Sequence, residues 1–253
     1  KNKEFSLNDF KLRSNFYSKI YQEIEDSENL SYIKIFNYNE KILIKNIFGI
    51  NQSLILSYLI NLSINKYPIY LTRHGESINN FKNIIGGDSL LTQNGLDYAL
   101  KLKEFINNEI SSSFIIFTSC LKRTKKTAEH FKQDKIENCL LNEINAGICE
   151  NLTISEINEK YPEISKSRKL DKLNYRYPEG ESYLDLIERL KYFVLQLQSY
   201  NKPILIVAHN AIIKVLLGYF QAIPQNKIPH LDINLHEVIK LIPNSKSYNI
   251  EEY

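Results

Sequence analysis

Apolar residues follow one rhythm before Pro68 and another after it. Over residues 7–25, Phe10, Phe16, Tyr17, Ile20 and Ile24 fall near helical spacing, which predicts a helix. Tyr32–Phe36 and Ile42–Phe48 are β-rich, and the turn-like Asn37-Tyr38-Asn39-Glu40 between them predicts a hairpin. Residues 51–62 read as an apolar helix ending in a short polar connection.

From Pro68 onward, strand-like and helix-like stretches alternate. A strand over 68–73 leads to a loop holding Gly86-Gly87-Asp88-Ser89. Thr92 is placed to cap a helix reaching about Asn107, with Leu96, Ala99, Leu100, Leu102 and Phe105 on its inner face. Phe114–Phe117 is a continuous apolar run, as expected of a strand buried on both faces. A helix over 121–132, a short extended piece at Leu140–Glu143 and a looser charged region from Ser155 to Pro178 come next. A helix over 182–199, a strand over 203–208, a helix over 211–220 and a last strand over 237–242 complete the reading. Such alternation predicts an α/β fold whose mostly parallel sheet is covered on both faces.

Composition narrows the function classes. With 253 residues, 43% hydrophobic and 24% charged, the chain has the profile of a soluble globular protein. A net charge of +3 is too small to imply nucleic-acid or membrane binding. The most apolar window, Pro203–Phe220, is broken by His209, Asn210 and Lys214, so it reads as strand then helix rather than a span. Cys120, Cys139 and Cys149 form no metal pattern and read as reduced thiols of a cytoplasmic protein. No GxxxxGK[ST] loop occurs, and no signal peptide is visible. The absence of methionine suggests that residue 1 is not the native start.

The chemistry lies where predicted strands end. Arg73-His74-Gly75 follows the 68–73 strand, and His209 follows Ile204–Ala208. Arg123 opens a helix just after Phe114–Phe117, and Glu143 follows Leu140–Asn142. The carboxyl ends of parallel strands share one edge, where open α/β sheets bind ligands. Two histidines, two arginines and a carboxylate would therefore converge there. That set suits phosphoryl transfer: planar cations for the equatorial oxygens, a neutral imidazole as nucleophile and a carboxylic acid for the leaving alkoxide. No metal or other cofactor is called for. Lys166, Arg168, Lys169 and Lys172 form a cationic stretch that could hold a second phosphate or be a solvated basic loop.

Leu71-Thr72-Arg73-His74-Gly75-Glu76, Arg123-Thr124, Glu143 and Ala208-His209 resemble the histidine phosphatase (phosphoglycerate mutase-like) superfamily. Ile85–Ser89, Leu141–Gly147 and Tyr175–Tyr183 narrow the resemblance to the bisphosphatase half of the bifunctional 6-phosphofructo-2-kinase/fructose-2,6-bisphosphatase family. The resemblance implies a three-layer α/β/α fold over residues 68–253, preceded over 1–67 by a small α+β remnant of a kinase-like domain and linker. It implies hydrolysis of the 2-phosphate of fructose 2,6-bisphosphate through phospho-His74. Arg73, Arg123 and His209 would hold the phosphoryl group, with Glu143 as acid and then base. Asn80 and the backbone at Gly86 would add phosphate contacts. Arg168, Lys172 and Tyr183 would hold the sugar phosphate. A small anionic sugar phosphate is the implied partner, and the intact protein is one that could form a homodimer.

Three positions depart from the family pattern. Ile154 stands where a pocket tyrosine is expected, Asn210 where a glutamine is, and Lys214 where an arginine is. Lysine keeps the charge of arginine but loses its fork. Two alternatives therefore stay open: a broader sugar-phosphate or phosphoglycerate-type phosphatase, and a non-catalytic regulatory module.

Overall fold

The computed structural model describes residues 3–36, 41–61, 67–197, 199–244 and 248–253. Clustering of the backbone divides the chain into Lys1–Ser63 and Ile64–Tyr253. The first unit holds helix α1 (Lys3–Ile20), strands β1 (Tyr32–Phe36) and β2 (Lys41–Lys45), and helix α2 (Ile50–Asn61). The two strands pair antiparallel, Tyr32 opposite Lys45, as the hairpin pattern predicts. The predicted turn over 37–40 lies outside the described residues. Helix α1 stops at Ile20, and Phe10, Phe16 and Tyr17 stay exposed.

In the second unit the elements run β3 (Ile69–Arg73), α3 (Ile78–Phe81), α4 (Gln93–Glu109), β4 (Ile115–Thr118), α5 (Lys122–Thr127) and β5 (Lys135–Glu137). They continue with α6 (Ile154–Lys160), α7 (Pro162–Leu170), α8 (Tyr183–Leu197), β6 (Ile204–Ala208), α9 (Asn210–Phe220), β7 (Val238–Pro243) and β8 (Tyr248–Glu252). The sheet order is β5-β4-β6-β3-β7-β8. The first four strands are parallel, while β7 and β8 close the far side antiparallel.

Alternation along the central strands builds the layers. Ile69, Leu71, Ile204, Ile206 and Ala208 face α8 and α9, whereas Tyr70, Leu205 and Val207 face α4 and Phe131. Each buried Ile, Leu or Val among them contributes roughly 1.5–3 kcal/mol. Thr92 caps α4 by accepting from the Gly95 N–H at 3.2 Å. Ala99 and Leu102 are buried in its inner face as expected, joined by Tyr98 and Ile106, but Leu100 is exposed.

Four expectations need correction. Leu140–Asn142 is not extended: Cys139–Leu141 is a 3₁₀ turn capped by Asn138, and the strand beside β4 is Lys135–Glu137. The predicted helix over 121–132 is α5 alone, after which turns take over. The region from Ser155 is not loose, because α6 starts with a Thr153/Glu156 capping box and α7 has a proline in its first turn. The cysteines are not all reduced: Cys120 and Cys139 form a disulfide, and only Cys149 is free. Parallel pairing of β4 with β5 brings the two Cα atoms within 5.3 Å although 19 positions separate them.

Candidate active site

Parallel pairing sets Arg73 opposite Ala208 and Thr118 opposite Val207, so three chains leave the sheet side by side. The His74 N–H donates to the Ala208 carbonyl at 3.0 Å, and the His74 and His209 rings lie 5.1 Å apart, centroid to centroid. The loop after His74 presses against α4. A Cβ on Gly75 would lie 2.4 Å from the Gly95 carbonyl oxygen, so the approach requires glycine.

His74 is buried. Its Nδ1–H donates to the Gly75 carbonyl at 2.7 Å, which leaves the lone pair on Nε2. That lone pair accepts from Arg123 Nε at 3.0 Å. Burial, then the neighbouring Arg123, pushes the His74 pKa down to about 3, so the ring is neutral across the physiological range. A neutral imidazole that keeps the lone pair on Nε2 is a competent nucleophile once Arg123 releases it.

Arg123 Nη1 also donates to the Gly87 carbonyl at 2.6 Å. Arg73, at the end of β3, donates through Nη1 to the Ile233 carbonyl at 2.9 Å, while its buried Nε has no hydrogen-bond partner among the described residues. Glu143 Oε1 accepts from the Ile144 N–H at 2.9 Å and from the Ala211 N–H at 3.3 Å. Burial raises the Glu143 pKa, against those donors and the two arginines. An acid held protonated longer than usual suits proton donation.

The turn that carries Glu143 is tied down from two sides. Arg189 of α8 donates to the Leu140 carbonyl at 2.6 Å and to the Asn142 carbonyl at 3.1 Å, and forms a fork with Glu181. The Cys120 N–H donates to Asn142 Oδ1 at 2.9 Å, beside the disulfide.

Arg73, His74, Asn80, Gly86, Arg123, Glu143, Arg168, Tyr183 and Asn210 line one cavity of about 220 Å³. A second cavity, of about 560 Å³, shares Gly86, Arg123, Glu143 and Ile144 with it. His209 has no exposure and lines neither cavity. Lys172 and Lys214 lie off the lining, and both donate to the Pro229 carbonyl, at 2.8 and 3.4 Å. Burial and the neighbouring Lys214 bring the Lys172 pKa down to about 8. Ile154 is 59% exposed at the start of α6 and lines neither cavity.

Sequence reasoning missed Ser119 and Tyr177. Ser119 Oγ lies 2.8 Å from His209 Nε2, and Tyr177 lines the cavity with the Arg168 guanidinium 5.3 Å from its ring centre. A serine just past an apolar strand carries no pattern of its own. Tyr177 stood inside one of the strings that carried the resemblance but was given no role.

Compared with known families, residues 69–253 match the histidine phosphatase superfamily (branch 1). The chain belongs to the histidine phosphatase superfamily. Residues 1–66, ahead of the histidine phosphatase region, match 6-phosphofructo-2-kinase. A 6-phosphofructo-2-kinase/fructose-2,6-bisphosphatase of Arabidopsis thaliana is 38% identical over 94% of this chain and 32% of its own. Enzyme 1 of that name from Bos taurus is 39% identical over 98% of this chain and 53% of its own. The chain thus spans about half, or less, of the length of these relatives. Among solved structures, the alpha-ribazole phosphatase of Shigella flexneri superposes with a TM-score of 0.66 at 21% identity, covering 73% of this chain and 94% of that one. A mycobacterial glucosyl-3-phosphoglycerate phosphatase gives 0.65 at 21%, covering 74% and 98%. These two likenesses show the histidine phosphatase fold.

Proposed function

We propose that this chain removes the 2-phosphate of fructose 2,6-bisphosphate, giving fructose 6-phosphate and phosphate through a phosphohistidine. The observation that carries the reading is the His74 ring: Nδ1–H is held by Gly75, so Nε2 presents its lone pair beside Arg123. In the first step Nε2 attacks phosphorus, the P–O bond to C2 breaks, and Glu143 gives its proton to the leaving alkoxide. In the second step a water attacks phosphorus, Glu143 takes its proton, and the P–N bond breaks. Arg73 and Arg123 neutralise the equatorial oxygens throughout. Asn80 and Gly86 would add contacts to the same group.

The names of the relatives support the choice of substrate, as does the cationic group Arg168, Lys172 and Lys214 for a second phosphate. Tyr183 and Asn210 would complete that end. Residues 1–67 would be the end of a kinase-like domain with its linker, and 68–253 the phosphatase domain. The intact protein would then pair the two activities, with homodimerisation part of the same reading. Among the described residues no helix is long and apolar enough to cross a membrane. A cytoplasmic location goes with a substrate too charged to cross a bilayer.

Rapid-quench labelling with substrate radiolabelled in the 2-phosphate tests the chemistry: label should appear on His74 and be absent from His74→Ala. A folded protein that binds substrate without taking label would point to a regulatory module instead. A second reading, a broader phosphatase, is favoured by Ile154, Asn210 and Lys214. Equal turnover of unrelated phosphate esters would establish it over the specific one.

A further inference from the structure

We propose that Ser119 is a positioning residue whose hydroxyl reverses its donor and acceptor roles so that His209 presents an N–H from Nδ1 to the phosphoryl group. The proposal rests on the phosphoryl-transfer reading above.

The His209 ring has no exposure, and its two nitrogens differ. Nε2 lies 2.8 Å from Ser119 Oγ, whereas Nδ1 is buried without a hydrogen-bond partner among the described residues. In an imidazole, the partner of one nitrogen decides whether the other carries the proton. If Nε2 held the only proton, the unpartnered Nδ1, on a ring 5.1 Å from that of His74, would have only a lone pair to offer a phosphoryl group held there. Only an N–H at Nδ1 would stabilise them.

The hydroxyls around Ser119 allow that N–H in either charge state. Ser119 Oγ accepts the Leu121 N–H at 3.2 Å, which occupies one of its two lone pairs. It also lies 2.8 Å from Thr124 Oγ1. The Thr124 hydrogen has a second acceptor, the Leu121 carbonyl at 2.9 Å. With a neutral His209, Thr124 donates to Ser119, Ser119 donates to Nε2, and the ring proton sits on Nδ1. With a cationic His209, Nε2–H donates to Ser119, Ser119 donates to Thr124, and Thr124 turns to the Leu121 carbonyl. Neither arrangement leaves a hydroxyl hydrogen without an acceptor. An alanine at 119 allows neither.

Burial, with His74, Arg123, Arg73 and Arg189 around it, lowers the His209 pKa well below that of a free imidazole. The ring is therefore neutral at physiological pH, and the position of its single proton matters.

The test uses ¹⁵N-histidine spectra of the whole chain with saturating inorganic phosphate, read beside steady-state kinetics. In the wild type with phosphate, His209 Nδ1 is expected to give a protonated, pyrrole-type signal. Ser119→Ala should weaken phosphate binding and lower kcat by about 10- to 100-fold, with little change in KM. Thr124→Val leaves the Ser119 hydrogen no acceptor but Nε2. That variant should show the protonated Nδ1 even without phosphate. A Ser119 that only holds the Leu121 N–H would lower Tm without altering the nitrogen pattern in either variant. An unprotonated Nδ1 in the phosphate-bound wild type would overturn the proposal. So would a folded Ser119→Ala whose kcat and phosphate affinity stay within about twofold of the wild type. The spectra require no turnover, so their failure is distinct from failure to label His74.

Discussion

Arg123 donates through Nε to Nε2 of His74, so the cation that would bind the phosphoryl oxygens also occupies the candidate nucleophile's lone pair in the free protein. Phosphate arrival has to exchange that bond for N–P contact while Arg123 keeps its hold on the Gly87 carbonyl. Lysine cannot make both contacts from one planar group. Arg123→Lys should lower kcat by about 10²–10³-fold with an intact fold by circular dichroism. Near-normal turnover would show that the charge alone suffices.

Glu143→Gln keeps the two backbone contacts to the side-chain oxygen but removes the proton. Turnover should slow, and quenched samples should contain more phosphoenzyme than the wild type because water is no longer deprotonated. An acid with a raised pKa works only below that pKa, so wild-type activity should fall as pH rises through it. The limb should vanish in the variant. Its persistence would assign the limb to another group.

His74 predicts acid sensitivity. Its folded pKa, about 3, lies below the 6.5 of a free imidazole, so between these values the unfolded chain binds more protons. Stability should therefore drop as pH falls from about 6.5 toward 3. His74→Asn should flatten that slope when Tm is followed against pH. An unchanged slope would mean that His74 does not contribute.

The Cys120–Cys139 bridge closes a loop of 19 positions around β5. Opening a loop of this size costs about 3 kcal/mol in the chain-entropy model. Dithiothreitol should lower the urea midpoint of the wild type but not of Cys139→Ser, and thiol counting should find one free cysteine before reduction. Three free thiols in the untreated protein would contradict the bridge.

The parts legible in the sequence were those with a single physical cause. β3, β4 and β6 are apolar runs because helices cover both of their faces, and Thr92 is a cap whatever lies around it. β5 escaped because only Ile136 of its three residues packs inward, and β8 because it is an exposed edge of mixed residues. The capping box at Thr153 was visible and was passed over for the charge around it. His74, Arg73, Arg123 and Glu143 were recognisable because strand ends collect chemistry, although Glu143 reaches the cavity from a 3₁₀ turn. The places of Lys172, Lys214 and Ser119 depend on contacts with chain 57, 15 and 90 positions away, which no local pattern carries.

The two cavities that share Gly86, Arg123 and Glu143 give the centre a front and a back door. With the sugar proposed for the smaller space, the larger one offers water a second route to the same carboxylate. In-line attack still puts that water where the alkoxide left, so hydrolysis follows departure of the alcohol without the two having to share one entrance. The turn tethered by Arg189 and the disulfide is the jamb between them.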